Sequence, residues 1–156
     1  MPSVWRAEPH EADAVARLIA AFRDHMGLDG PPDDTVRAGV LRLIADADTE
    51  FLLAAAEAGE PPAGVAQLRF RFGIWRDGGD CLLEDLFVSA GARGAGLGRA
   101  LMAATLERAR ARGCRRIELD VNERNEGALA LYGSFGFSAT ANTYGARDLY
   151  MRLHLD

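Results

Sequence analysis

Apolar and polar residues change rhythm several times along the chain, and each change predicts an element. Val4 to Ala7 reads as a short strand. Val15, Leu18, Ile19 and Phe22 recur at i, i+3, i+4 and i+7, the spacing that gathers four apolar side chains on one face of a helix. Gly30, Pro31 and Pro32 interrupt the segment Gly27 to Asp34, and Asp33 or Asp34 is then placed to cap a second helix with an inner stripe of Val36, Val40, Leu43 and Ile44. Phe51 to Glu57 reads as a strand and Gly59 to Pro62 as a turn. Ala66, Leu68, Phe70 and Phe72 alternate with Gln67, Arg69 and Arg71, the period of two of a half-buried strand. Arg76 to Asp80 predicts a hairpin turn and Cys81 to Val88 the returning strand.

A glycine-rich loop, Ser89 to Gly98, leads directly into a helix with Leu101, Met102, Thr105, Leu106 and Ala109 on one face. Arg108, Arg110 and Arg112 suit the negative end of its dipole, and Gly113 stops it. Ile117, Leu119 and Val121 alternate on a further strand, and Asn125 to Phe135 forms a short helix ended by Gly136. Phe137 to Ala141 and Arg147 to Leu155 read as two final strands. The predicted order is β-α-α-β-β-β-α-β-α-β-β: an α/β fold on a mixed sheet of about seven strands with four helices, not the strict βαβ alternation of a doubly wound fold. At 156 residues, without repeats or a long linker, the chain is expected to form a single domain over 1–156.

Composition narrows the function classes. Apolar residues make up 49% and charged residues 26%, and no apolar run approaches the roughly 20 residues of a membrane helix. The first residues lack the basic-then-apolar pattern of a signal peptide, so a cytoplasmic protein with no membrane partner is expected. Cys81 and Cys114 are too few for a disulfide framework, no Cys/His cluster points to a metal, and nothing near either thiol signals a lowered pKa. The net charge of −5 argues against nucleic acid. Residues 1–60 hold five Arg and twelve acidic residues; residues 61–156 hold thirteen Arg and eleven. That asymmetry suits a cationic substrate and an anionic cofactor, and equally suits a solvated acidic surface.

The segment Gly91-Ala92-Arg93-Gly94-Ala95-Gly96-Leu97-Gly98-Arg99 lies between a predicted strand and a predicted helix. Its glycines permit positive φ and close approach of a ligand, and amides at a helix start form an anion site with the dipole. A P-loop needs a lysine, and all eighteen basic residues here are arginine; the glycine spacing also differs from GxGxxG. The pattern present is Arg-x-x-Gly-x-Gly, with Arg93, Gly96 and Gly98 in those places. A flexible loop capping a helix would account for the same residues.

Three motifs in order carry a family resemblance over nearly the whole chain. Leu83-Glu84-Asp85-Leu86-Phe87-Val88 precedes the loop, the loop follows, and Asn125, Ala128, Leu131-Tyr132 and Phe135-Gly136-Phe137 come after it. Together they resemble the GNAT superfamily of N-acetyltransferases, and the first strand looks like that of spermidine/spermine-type enzymes. The resemblance implies acetyl-CoA as cosubstrate and a primary amine as acceptor, with direct transfer in a ternary complex. The acidic N-terminal third favours a small cationic amine. Acetylation of a protein N-terminus or lysine is an alternative, as is a non-catalytic acyl-CoA-binding domain. Dimerisation is compatible with the superfamily, and no residue pattern marks an interface.

Carried onto this chain, the resemblance gives Leu86, Phe87 and Val88 the backbone contacts to the pantetheine arm. It assigns the pyrophosphate to Gly94, Ala95, Gly96, Leu97, Gly98 and Arg99, with Arg93 introducing the loop. Tyr132 is then the expected general acid, protonating the departing thiolate, and Asn125, seven residues earlier, shares its face of the cofactor channel. A core aromatic is the competing reading of Tyr132. Strict alternation puts Glu84 on the face of Leu86 and Val88, where it would bind the amine and act as general base; an ion pair with Arg69 or Arg71 competes. Asp120, sharing a face with Glu118, is a candidate for binding a cationic acceptor. His25 either lines an acceptor pocket or is a plain surface histidine.

Overall fold

In the computed structural model, which describes residues 1–155, the chain divides into two compact units, residues 1–119 and the segment from Asp120 onward. The first unit holds β1 (Ser3–Arg6), α1 (Ala12–His25), α2 (Asp33–Ile44), β2 (Thr49–Ala55), β3 (Gly64–Gly73), β4 (Gly78–Val88), α3 (Leu97–Ala111) and β5 (Cys114–Glu118). The second holds α4 (Glu126–Ser134). The five strands form one sheet in the order β1-β2-β3-β4-β5, antiparallel except for the parallel β4–β5 pair.

Alternation along the strands sorts the core into two layers. Phe51, Leu53, Val65 and Phe87 face Val15, Leu18, Val36 and Val40 of α1 and α2. Their neighbours Leu52, Ala54, Ala66 and Leu68 point the other way, toward Leu97, Leu101 and Met102 of α3. With both faces covered, every residue of β2 is buried. Each large apolar side chain withdrawn from water there contributes about 1.5–3 kcal/mol. Gly64 is closely packed: a Cβ on it would meet Leu101 Cδ1 at 3.1 Å, so that side chain would have to give by a few tenths of an ångström.

Several expectations need correction. Five strands form among the described residues, not seven. The segments predicted as the last two strands instead make local bonds: Ser138 Oγ accepts from Thr140 N–H, and Asn142 Oδ1 accepts from the amides of Tyr144 and Gly145. Such side-chain bonds compete with a ladder, and among the described residues one backbone hydrogen bond, Asp148 N–H to Ala139 O at 3.4 Å, joins the two segments. β5 stops at Glu118, short of Leu119 and Val121, because a turn follows in which Asn122 Oδ1 accepts from Arg124 N–H. Neither Asp33 nor Asp34 caps α2. Pro32 occupies the cap position, and both acids lie in the first turn, where the dipole favours them. The hairpin turn is Ile74 to Asp77, earlier than predicted. β3 is not half-buried along its length: Val65 and Gln67 are buried with Ala66 and Leu68, whereas Phe72 is exposed.

Candidate functional site

Two departures from regular sheet pairing shape the end of β4. The β3–β4 ladder matches Gln67 with Asp85 but Leu68 with Leu83, so Glu84 is an extra residue, a β-bulge. The bulge breaks the alternation that would align Glu84 with Leu86. Leu83 pairs with Leu68, and Leu86 with Ala66, on the layer facing α3. Glu84 shares a groove of about 300 Å³ with Arg69, Phe70, Arg71 and Leu82. The second departure is that the β4–β5 ladder ends at Leu82 and Glu118, while β4 continues for six residues to Val88, paired among the described residues with β3 alone.

The direction of the backbone groups in that extension follows from one bond. Ser89 N–H donates to Ala63 O, so the Ser89–Ala63 pair is hydrogen-bonded, and Phe87 two residues earlier also turns its amide and carbonyl to β3. Leu86 and Val88 therefore direct theirs to the opposite edge. Val88 O is met there by Arg93 Nε at 3.1 Å. Phe87 serves through its ring, which stacks on Phe22 of α1 at 5.1 Å and anchors the strand to the helical layer.

The loop after β4 bends through a short 3-10 turn, Ala90–Ala92, and then through two glycines of positive φ, Gly94 at +84° and Gly96 at +83°. Gly96 is the N-cap of α3. Space is not what demands glycine here, since a Cβ on Gly94 meets nothing within 4 Å and one on Gly96 only Pro2 Cγ at 3.8 Å; the dihedral is. Ala100 N–H donates to Gly96 O, so the amides of Leu97 and Gly98 precede the helical ladder and carry the positive end of the dipole of a 15-residue helix. Arg93 and Arg99 bracket these amides in sequence. A diphosphate fits this arrangement: open space, outward amides and cationic side chains.

Glu84 is exposed and makes no hydrogen bond or ion pair among the described residues. The expected partners are engaged elsewhere. Arg71 lies 2.8 Å from Glu118 Oε1 and 3.7 Å from Asp80 Oδ2, and Arg69 reaches Asp46 at 4.0 Å. His25, at the end of α1, sits with its ring 5.8 Å from that of Phe87 and Nδ1 3.5 Å from Arg93 Nη2. It is thus a neighbour of the loop, which its place in an acidic segment did not reveal.

Asn125, Tyr132 and Asp120 belong to the second unit. Asn125 caps α4, its Oδ1 accepting from Ala128 N–H at 3.1 Å. Tyr132 lies two turns on, its ring tilted against that of Phe137 at 6.1 Å. Burial raises its phenol above the ordinary value, and the negative charge of Asp120 adds to the shift. Asp120 lies beyond the end of β5, half-exposed and 4.0 Å from Arg152. Glu50, which no motif singled out, is a wholly buried carboxylate on β2, ion-paired to Arg108 at 2.7 Å, Arg6 at 3.3 Å and Arg112 at 3.6 Å.

The family model described as Acetyltransferase (GNAT) family matches residues 14–137. An aminoglycoside N(6')-acetyltransferase type 1 from Stenotrophomonas maltophilia is 31% identical over 99% of this chain and 95% of its own length. Among solved structures, a proposed acetyltransferase from Arthrobacter sp. FB24 superposes with a TM-score of 0.86 at 34% identity, covering 98% of this chain and 96% of that one. An aminoglycoside acetyltransferase from an uncultured soil metagenomic sample, solved with sisomicin, shares the fold with a TM-score of 0.78 at 14% identity, covering 99% and 97%.

Proposed function

The chain belongs to the GNAT acetyltransferase family, and on that footing we propose that it transfers acetyl from acetyl-CoA to the primary amine of a small cationic molecule, directly and in a ternary complex. The observation that carries the reading is the extension of β4 past β5: it leaves the backbone of Leu86 and Val88 directed to an edge and runs into the glycine-bearing start of α3. The thioester supplies an acyl carbon open to attack and a thiolate leaving group. The edge groups of Leu86 and Val88 bind the pantetheine arm, and an N–H there stabilises charge developing on the thioester oxygen. Arg93 and the loop amides, with Gly94 to Arg99, hold the diphosphate.

Glu84 takes the proton from the incoming ammonium, directly or through a water. Tyr132 returns one to the departing thiolate; its raised phenol keeps that proton in place through neutral pH, as an acid must. This role requires α4 to present the hydroxyl to sulfur, with Asn125 holding the start of that helix. Asp120 adds negative charge for a cationic acceptor. A second reading, in which the acceptor is an aminoglycoside, is favoured by the relative from Stenotrophomonas maltophilia.

The test is thiol release with acetyl-CoA and a panel of primary amines that includes an aminoglycoside. Turnover of at least one amine, lowered about 10²-fold by Glu84→Gln, is expected. Stabilisation by CoA with no turnover on any amine would leave a binding domain instead.

A further inference from the structure

The groove that contains Glu84 also contains a cation, and the two do not neutralise each other. Arg69 lies on β3, paired in register with Leu82, two residues from the bulge. Its guanidinium is 41% exposed and makes no hydrogen bond among the described residues; its ion pair with Asp46 stands at 4.0 Å. Asp46 is itself satisfied, accepting from the amide of Asp48 and the hydroxyl of Thr49, each at 3.0 Å. Arg71, the other arginine of the groove, is committed to Glu118 and Asp80. One open space of about 300 Å³ is therefore lined by the Glu84 carboxylate, which has no partner among the described residues, and by the Arg69 guanidinium, held by a long ion pair to Asp46 at 4.0 Å, with Phe70 and Leu82 completing the lining.

We infer that the acceptor is a small amino-carboxylate, whose ammonium group meets Glu84 and whose carboxylate meets Arg69. A planar guanidinium with paired donors matches a carboxylate, and a charge-assisted bond of this kind is stronger than one between neutral groups. A polycation would place one of its charges against Arg69. The inference rests on the acetyl-transfer reading above and replaces its cationic acceptor with one that carries both an ammonium and a carboxylate.

The experiment measures kcat/KM by thiol release for ω-amino acids from glycine to 6-aminohexanoate, for alkylamines and diamines of matched length, and for one aminoglycoside. The expected result is a preference of about tenfold or more for an amino acid over its matched alkylamine, carried mainly by KM. Arg69→Glu should reverse the preference toward the diamine, and Arg69→Gln should abolish it, with the melting-temperature gain on adding CoA reporting that each variant is folded. Equal use of all amines, better use of diamines or the aminoglycoside, or an unchanged preference in both variants overturns the inference and leaves acetyl transfer standing. No turnover of any amine overturns both.

Discussion

Arg108 places Nη2 2.7 Å from Glu50 Oε1, joining the last turn of α3 to a carboxylate that has no exposure at all. Arg6 and Arg112 approach the same group from β1 and from the end of α3, at longer range and with Arg6 more than half exposed. Losing a partner of a buried pair costs several kcal/mol, whereas an exposed pair is worth at most about 1 kcal/mol. Arg108→Ala is accordingly expected to lower stability by about 3 kcal/mol and Arg6→Ala by less than about 1 kcal/mol. Urea unfolding of both variants decides the matter, and equal losses would show that Glu50 is held otherwise.

The loop makes a prediction in which two glycines a few residues apart behave differently. Gly96 needs its φ of +83°, so Gly96→Ala should cost about 1–2 kcal/mol and should reduce the gain in melting temperature on adding CoA. A Cβ on Gly91 meets nothing within 4 Å, and its φ is not positive. Gly91→Ala should melt like the parent protein. Indistinguishable behaviour of the two variants would contradict a φ requirement at the start of α3.

Tyr132→Phe should lower kcat about 10²-fold while the KM for acetyl-CoA changes little. The phenol of Tyr132 is raised by burial and by Asp120, so the acid form persists at neutral pH. In the parent enzyme the rate should fall only as pH climbs past the ordinary phenol value of about 10. The same shift makes folding weaken as pH rises through that region, because the unfolded chain loses the proton first. A kcat profile that descends well below pH 9 would remove Tyr132 as the acid.

Burial pushes the Cys81 thiol up to about 12, and burial raises Cys114 as well. A raised thiol is a poor nucleophile at neutral pH. Neither cysteine should react with an aromatic disulfide reagent at pH 8 at the rate of a free thiol, and both should titrate once the chain is unfolded in urea. Since the thiolate is disfavoured in the folded state, the contribution of Cys81 to stability is complete below about pH 9 and is lost as pH rises toward 12. Fast reaction of one thiol in the folded protein would point to an opening near β4 and β5.

The elements up to α4 were legible because their periodicities are long and their boundaries carry glycine or proline: the stripe Val15-Leu18-Ile19-Phe22, the stop at Gly113 and the loop at Gly91 to Gly98 are local signals. The pairing of Glu84 was not legible. A bulge is a relation between two strands, and the alternation within β4 alone holds no sign of the extra residue. The partners of Arg69 and Arg71 escaped for a similar reason, since Asp46, Asp80 and Glu118 come from other parts of the chain. The C-terminal segments carry strand-like alternation, but Ser138, Thr140 and Asn142 offer the backbone nearer partners. Glu50 reads as one acid in an acidic stretch, and only the covering of both faces of β2 turns it into an anchor.

The extra residue in β4 works as a half-step in the strand's rhythm. Residues before Glu84 and residues after it keep separate beats, so the length of strand that belongs to the hairpin with β3 and β5 and the length that leads into the loop are set independently. Substitution at position 84 changes a charge; deletion of position 84 would restore one continuous beat and exchange inside for outside along one arm of the hairpin. The fold therefore tolerates a change of side chain at the bulge, whatever that change does to the chemistry, while the count of residues between Leu83 and the loop is fixed by the pairing on either side.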